Sequence, residues 1–336
     1  MSTLTTNTIE NVAGTKSVSV DMLAVTSPYS MRNKLINGGF DIWQRGTTPA
    51  LIDGYIADRW ILSGVTNIGT LFKANVGGID SGNALVCTKT GAGQSWLTQK
   101  IENPRIYSGK TMTLSFRAFS NTGNNMSSSV YLRVYNPTDG LTTIVDPIPF
   151  TWDDDWNKKT ITFTIPNIDN SHYNDSSSYL ELTFALGTDT STGVYLADVQ
   201  LEEGLVATPF EQRPIGMELS LCQRYYEKSY NLSTPPSSIT QSGAVRTKAD
   251  VTDTSHFDTS YIPYKVSKRV TPTLLLYSTA TGNAGMYNST AIGDYNTVGS
   301  FIATQGENSF GIFDSGFGLS VNNKYIFHYT ADAEIY

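Results

Sequence analysis

The amino-acid sequence predicts an all-β protein, and three observations support this. Only 16% of the residues are charged, against about a quarter in typical globular proteins. Tyrosine occurs 19 times, and 28 glycines are distributed mainly among polar turns. Short runs of alternating apolar and polar residues recur along the chain, which is the period of a strand with one buried face. These features together predict short strands joined by polar turns.

The bulk properties narrow the possible functions. A length of 336 residues favours two or three domains. The formal net charge of −7 disfavours a nucleic-acid partner, which would need a basic surface. Cys87 and Cys222 lie far apart and outside any C-x-x-C pattern, so neither a disulfide framework nor a zinc site is expected.

The N-terminal residues show no targeting signal. Residues 1–25 lack the basic start and the continuous apolar core of a signal peptide, and no apolar run is long enough to span a membrane. We therefore expect a protein that is made in a cytoplasm, is released by lysis rather than by secretion, and does not insert into a membrane.

Residues 1–33 form the first predicted segment, a short extended anchor. Val18, Val20 and Met22 alternate with polar residues, which indicates a strand. The segment is too short and too polar to bury a core of its own. It must pack on copies of itself in an oligomer or on a docking partner, unless it is a disordered tail.

Residues 34–213 are predicted to form one jelly-roll β-sandwich. Residues 37–46 are interpreted as a turn that leads into the opening strand, and residues 193–202 as the closing strand. Along Thr111–Ser120 the apolar side chains share one face. The nine predicted strands are Trp60–Ser63, Leu71–Ala74, Ala84–Thr88, Ser95–Ile101, Thr111–Ser120, Ser129–Tyr135, Lys159–Ile165, Tyr179–Ala185 and Val194–Leu201.

One helix is predicted to link this sandwich to the rest of the chain, within residues 214–228. Met217, Leu221 and Tyr225 recur at i, i+4 and i+8 over Gly216–Lys228. Such an apolar stripe can pack on the sandwich or face copies of itself about an axis. We favour a contact at a subunit junction.

Residues 229–336 are predicted to form a small C-terminal β-sandwich. Glycine-rich turns at 281–285 and 314–318 separate its strands. The six predicted strands are Gly243–Lys248, Ser260–Val266, Thr273–Tyr277, Ser300–Thr304, Ser309–Asp314 and Lys324–Tyr329.

Catalysis finds little support in the sequence. Only His172, His256 and His328 are present, and no hydrolase or phosphate-loop motif accompanies them. A glycosidase needs two carboxylates several ångströms apart. Neighbouring acids such as those at 153–155 and 202–203 are typical of solvated turns and strand ends. We expect a protein that is not an enzyme.

Sugar binding by exposed aromatic rings is the favoured chemistry. Jelly-roll proteins can stack sugar rings on aromatic side chains and bind hydroxyl groups with polar ones. Trp152 and Trp156 flank an acidic turn, where they can meet a glycan or instead anchor the loop. Further candidates lie among the polar turns of the C-terminal region: Tyr261, Tyr264, Tyr287, Tyr295 and Phe317.

A structural Ca²⁺ ion is a second possibility. Asp41 and Asp198 lie in the two segments that are predicted to pair at the edge of the sandwich. Two carboxylates together with backbone carbonyls could hold Ca²⁺. Alternatively, Asp41 bonds Arg45 or a backbone amide.

Two sets of residues resemble a known family. They are residues 33–46 (NKLINGGFDIWQRG) with 55–60 (YIADRW), and residues 194–204 (VYLADVQLEEG) with 207–214 (ATPFEQRP) and 221–226 (LCQRYY). Together they are similar to the central domain of bacteriophage tail fibre proteins. Residues 270–273 and 277–282 resemble the tip domains of the same fibres more weakly.

The resemblance implies a homotrimeric fibre in the virion. Residues 1–33 would attach it to a tail or baseplate protein, and its distal domain would bind a polysaccharide or lipopolysaccharide of the host surface without cleaving it. Two other roles stay open: a structural tail adaptor or collar, and a tailspike that depolymerises a glycan.

The same segments also resemble calcium-containing carbohydrate-binding modules of the jelly-roll type. Asp41 and Asp198 match metal positions of those modules, and Lys110 would add a backbone carbonyl. Ala197 stands where such modules usually carry a second acid.

Overall fold

The computed structural model describes residues 31–48, 53–121, 126–168, 173, 175–187, 193–248, 257–258, 261–289, 293–296, 301–314 and 324–336. Strands dominate these residues, which confirms the all-β prediction. The strand predicted around Val18–Met22 lies outside the described residues, as does Phe317. Within them, no helix has both the length and the apolar character needed to cross a membrane.

The first eleven strands form a β-sandwich of two antiparallel sheets. The front sheet has the order β1-β2-β5-β10-β7-β8, and the back sheet has the order β3-β4-β11-β6-β9. The strands are β1 Gly54–Tyr55, β2 Trp60–Ser63, β3 Ile68–Asn75, β4 Asn83–Lys89, β5 Trp96–Glu102, β6 Thr111–Ser120, β7 Met126–Asn136, β8 Gly140–Trp152, β9 Lys158–Thr164, β10 Tyr179–Ala185 and β11 Gly193–Glu203.

The connections are those of a jelly roll. Strands β4 to β11 pair as β4 with β11, β5 with β10, β6 with β9, and β7 with β8. This is one long hairpin folded across two sheets. The inner faces of both sheets bury one hydrophobic core, in which Phe116 of the back sheet meets Phe184 of the front sheet with ring centroids 5.0 Å apart.

Strand β8 was missed from the sequence, and its two prolines explain why. Pro147 and Pro149 lack an N–H group and normally argue against a strand. Strand β8 lies at the edge of the front sheet, where the missing donors need not face a partner strand. Two irregularities in the β7–β8 register accompany the prolines.

The predicted opening strand at residues 37–46 was wrong, because this segment is a coil. Asn37 and Phe40 adopt positive φ values of 58° and 55°. The Asn37 side chain accepts a hydrogen bond from the amide of Ile42 and donates to the carbonyls of Ile42 and Asp58. The loop thereby places Phe40 and Trp43 in the core without sheet pairing.

The linking helix is shorter than predicted. Helix α1 spans Ile215–Gln223, and strand β12 follows at Tyr226–Lys228. Met217 is 41% exposed, whereas Tyr225 lies beyond the helix and is 5% exposed. Strand β12 forms because residues 226–228 pair with Thr330–Asp332 near the C-terminus. This pairing ends the helix early. Met217, Leu221 and Tyr225 therefore form no common apolar stripe.

The C-terminal region folds into two further sheets. In one sheet, β21 pairs with β12, β13, β16 and β17, and β17 also pairs with β18; in the other, β20 pairs with β14, β15 and β19. Tyr287, Phe310, Ile312 and Tyr325 share one core between these sheets. The strands are β13 Val245–Lys248, β14 Phe257–Asp258, β15 Ile262–Pro263, β16 Thr273–Ser278, β17 Met286–Ser289, β18 Gly293–Asn296, β19 Phe301–Gln305, β20 Ser309–Asp314 and β21 Lys324–Asp332.

Candidate functional site

The outer surface of the front sheet carries aromatic and charged side chains around one strand, β10. Leu97, Leu180 and Leu132 point into the core, so their neighbours in each strand point outward. We call the outward side chains of β5, β10 and β7 the front face: Trp96, Thr98, Lys100 and Glu102 on β5, Tyr179, Glu181, Thr183 and Ala185 on β10, and Tyr131, Arg133 and Tyr135 on β7.

The strand register arranges these side chains in rows across the sheet. Trp96 lies opposite Ala185, and Thr98 and Tyr131 lie on either side of Thr183. The next two rows are Lys100, Glu181 and Arg133, and then Glu102, Tyr179 and Tyr135. Aromatic residues thus occupy both ends of the face, and charged residues occupy the row between them.

The first aromatic pair is Trp96 with Tyr131. Their ring centroids are 5.2 Å apart at an interplanar angle of 78°, an edge-to-face contact. The rings meet across β10 because the small side chains of Ala185 and Thr183 leave room between them. Both rings are half-buried, so each keeps surface that a ligand can contact.

The second aromatic pair is Tyr135 with Tyr179. Their rings stack with centroids 4.9 Å apart, and the Lys100 ammonium lies 4.5 Å from the centre of the Tyr179 ring. Burial raises the pKa of Tyr179 to about 12, so its phenol stays neutral. Tyr131 and Tyr135 are four residues apart on β7, about 13 Å, which suits several linked sugar rings better than one.

Polar groups fill the space between the aromatic pairs. Arg133 forms an ion pair with Glu181, whose Oε1 also accepts a hydrogen bond from Thr183 at 3.0 Å. The hydroxyl groups of Thr183 and Thr98 are 2.9 Å apart. Among the described residues, the buried Arg133 Nε and Glu102 Oε1 have no hydrogen-bond partner.

The C-terminal domain closes one end of the front face. Arg224, just after α1, donates to Glu102 Oε2 at 3.2 Å. Tyr225 and Ile335 share a small hydrophobic cluster with Tyr179. The face therefore ends at a junction between domains, where ligand sites are common.

Three of the aromatic residues predicted to bind sugar are buried. Trp152 is 0% exposed at the end of β8 and packs on Phe150. Tyr264 and Tyr287 are 7% and 1% exposed in the C-terminal core. These three predictions were wrong, because each side chain faces the interior of its own sandwich.

The other aromatic predictions stay open. Tyr261 is 68% exposed and remains a candidate. Tyr295 lies in β18, but its side chain is outside the description, as is all of Phe317. Trp156 is half-buried at the back sheet, where it stacks on Phe119 at 5.2 Å and meets Tyr195 at 6.1 Å.

The predicted calcium site has a donor set that does not suit a cation. Asp198 lies in a bulge of β11 with a φ of 50°. Its carboxylate accepts hydrogen bonds from the amides of Asp80 and Ser81, and from Arg117 Nε at 3.0 Å. A guanidinium group already supplies the positive charge that a metal would bring.

Asp41 and Lys110 also do not fit. Asp41 Oδ1 accepts a hydrogen bond from Asn83, and its carbonyl accepts one from Lys73. The Lys110 carbonyl is bonded to the amide of Ile165, and Lys110 lies seven residues before Arg117, about 23 Å along the strand. In the part of the chain that the structure describes, no three acidic, histidine or cysteine residues form a metal-binding group.

The family-like segments meet at the boundary between the two domains. Arg45 lies 3.6 Å from the centre of the Tyr226 ring, and Arg59 lies 3.4 Å from that of Tyr225. Both guanidinium groups also pair with Glu334, which is 3% exposed. We call these five residues the domain clamp. These residues join the two domains. Their contacts account for Arg45, Arg59, Tyr225 and Tyr226 in the family-like segments, and no ligand is needed to explain them.

Sequence reasoning missed the front face, although its signal was present. Tyr131, Arg133 and Tyr135 alternate with Val130, Leu132 and Val134, as Trp96 and Lys100 alternate with Leu97 and Ile101. The pattern identifies the outward residues of each strand. It does not tell which strands are neighbours, so the convergence of these side chains was not visible.

Comparisons with known proteins return structural similarities only. No protein-family model matches the chain, and no curated protein matches it in sequence. Among solved structures, the enzymatically active domain of tailspike protein 4 from bacteriophage CBA120 is 16% identical with a TM-score of 0.36, covering 52% of this chain. The match spans only 22% of the length of that domain's chain.

Two further similar structures are sugar-binding proteins. One is a putative sugar binding protein from Bacteroides thetaiotaomicron, with 16% identity and a TM-score of 0.37, covering 51% of this chain and 100% of that one. The other is the CBM22-1 xylan-binding domain of Paenibacillus barcinonensis Xyn10C, with 14% identity and a TM-score of 0.32, covering 54% of this chain and 100% of that one.

Proposed function

We propose that the chain binds a glycan along the front face. The observation that carries this proposal is the row of charged side chains between two aromatic pairs on one sheet surface. Aromatic rings provide apolar surface for the faces of sugar rings, and the polar row provides partners for hydroxyl groups. The end wall at the domain junction would limit how far the glycan extends.

The test is an alanine substitution at the most prominent ring. Trp96→Ala should lower the affinity for a bound glycan by about 10-fold to 100-fold, because stacking and apolar contact are worth roughly 1–3 kcal/mol. Trp156→Ala is the matched control, since it removes a half-buried tryptophan from the opposite sheet. Glycan-array binding followed by titration calorimetry would measure both. Equal losses in the two variants would contradict the front face as the site.

Binding without cleavage is part of the proposal. Glu102 and Glu181 are the carboxylates of the front face, and each is held by an arginine, Arg224 and Arg133 respectively. Both carboxylates are thus engaged by guanidinium donors, so the face offers no pair of free carboxylates of the kind that glycoside hydrolysis uses. Release of oligosaccharides from host capsule or lipopolysaccharide by the purified protein would contradict this part.

A role in phage adsorption is the finer part of the proposal. It rests on the resemblance of the border segments to tail fibres and on the way the chain enters the sandwich. The amides of Arg32 and Asn33 donate to the Glu211 carboxylate, so a segment before them would be firmly coupled to the binding domain. A trimer in solution and loss of adsorption in virions carrying Trp96→Ala would support the role. A monomeric protein would contradict it.

A further inference from the structure

The charged row of the front face contains more positive than negative charge. Lys100 and Arg133 lie on either side of Glu181 in the register. Glu181 is engaged by Arg133 and by the Thr183 hydroxyl. Within the described residues, Lys100 forms no ion pair, and its ammonium lies over the Tyr179 ring. The row therefore keeps one excess cation.

The next row does not compensate this charge. Glu102 is the nearest other carboxylate along β5, and Arg224 of the C-terminal domain holds its Oε2. Each carboxylate of the face thus has its own guanidinium partner. Burial lowers the pKa of Lys100, and Glu181 only partly opposes this, so an additional anion would stabilise the ammonium.

A second cation lies in the same row. The Arg133 guanidinium pairs with Glu181 through one nitrogen, and its side chain remains 29% exposed. Guanidinium groups bind carboxylates with good geometry because their N–H donors are fixed in one plane. A glycan that contacts both aromatic pairs must cross the row of Lys100 and Arg133, because this row lies between them.

We infer that the front face selects glycans that carry carboxylate groups, such as those with uronic acid units. A carboxylate at the middle of the bound segment would accept from Lys100 Nζ and lie beside the Arg133 guanidinium, while flanking rings contact Trp96 and Tyr131 at one end and Tyr135 at the other. This inference rests on the proposed function, because it concerns the same surface. It adds the chemical class of the ligand.

The experiment compares acidic polysaccharides with their own carboxyl-reduced forms. Polygalacturonate, alginate and hyaluronate would be titrated against the full chain, each beside the neutral polymer made from it by reducing its carboxylates to alcohols. At least one acidic polymer should bind on the order of tenfold more tightly than its neutral form, since a charged hydrogen bond contributes about 1.5–3 kcal/mol. This preference should weaken as salt is added.

Lys100→Gln isolates the charge of the site. This variant should lose on the order of tenfold in its preference for the acidic polymer over the neutral form. Lys110→Gln is the matched control, because it removes the same charge beside the back sheet, where Lys110 pairs with Glu203. A loss of equal size in both variants would show a general charge effect and overturn the inference.

The outcomes separate the two proposals. Equal or tighter binding of the neutral polymers overturns the selection of carboxylates and leaves glycan binding intact. Tighter binding of a phosphorylated mannan than of every carboxylate polymer also overturns it, in favour of phosphate groups. If neither these polymers nor a glycan array gives binding that Trp96→Ala reduces, the proposed function fails, and the inference fails with it.

Discussion

At the scale of single residues, burial decides which side chains can act. Trp152 and Trp96 are both tryptophans near strand ends, yet Trp152 fills the core and Trp96 keeps surface on the front face. The sequence context of Trp152, an acidic turn, left open whether the ring meets a glycan or anchors the loop. In the structure Trp152 points inward and packs on Phe150.

His328 provides a prediction at this scale. Its ring is fully buried against Tyr230, Nδ1 lies 2.8 Å from the Ser229 hydroxyl, and Nε2 lies 3.1 Å from the Thr240 carbonyl. Burial lowers the pKa of His328 below the usual 6.5, so the folded state favours the neutral ring. A lowered pKa contributes stability at high pH that is lost as the pH falls through the folded value.

The measurement is the thermal unfolding of the C-terminal domain between about pH 7.5 and pH 5. The unfolding temperature should fall over this range in the natural protein. In His328→Gln, which keeps hydrogen-bonding capacity but does not titrate, the fall should be smaller. An unchanged slope in the variant would contradict the assignment.

At the scale of single elements, strand irregularities place functional groups. The bulge in β11 turns Asp198 toward Arg117 of the neighbouring strand β6. In the resemblance to calcium-containing modules, this position would hold a metal. In this structure the Arg117 guanidinium supplies the positive charge beside the Asp198 carboxylate.

The prediction for this element is that Arg117, rather than Ca²⁺, stabilises the bulge. Chelation with EDTA should leave the unfolding temperature unchanged. Arg117→Met should lower the free energy of unfolding by about 1–3 kcal/mol, because it leaves the buried Asp198 carboxylate without its charged donor. Lys110→Met breaks an exposed ion pair of the back sheet and should cost under about 1 kcal/mol. A drop in unfolding temperature with EDTA would contradict the prediction.

At the scale of the whole molecule, the domain clamp fixes the two sandwiches to each other. Arg59 pairs with Glu334 and also donates to the Lys100 carbonyl at 2.6 Å. Since Lys100 belongs to the front face, the clamp supports one wall of the candidate site. Removing the C-terminal domain would therefore expose buried charges of the first sandwich.

Double substitution tests the clamp. Arg59→Met alone should lower the free energy of unfolding by about 3–5 kcal/mol, because Glu334 stays buried with one fewer partner. The double variant Arg59→Met with Glu334→Gln should recover part of that loss. Denaturant unfolding would measure both. A double variant that is no more stable than Arg59→Met alone would show that the two groups do not act as a pair.

Much of the fold could be predicted from the sequence. The bounds of Trp60–Ser63, Thr111–Ser120 and Tyr179–Ala185 were predicted correctly, because period-two alternation is a local property. The prediction failed where long-range pairing decides the structure. Strand β12 replaces the end of a helix because β21 pairs with it, and β8 persists despite two prolines because it lies at an edge.

The sequence by itself determined the all-β class, most strand segments of the first sandwich and the outward residues of those strands. Only the tertiary structure decided that β5, β10 and β7 are neighbours, which brings Trp96, Lys100, Tyr131 and Arg133 onto one surface. The physical reason is that alternation depends on adjacent residues, whereas a binding face depends on the register between strands that lie far apart in the chain.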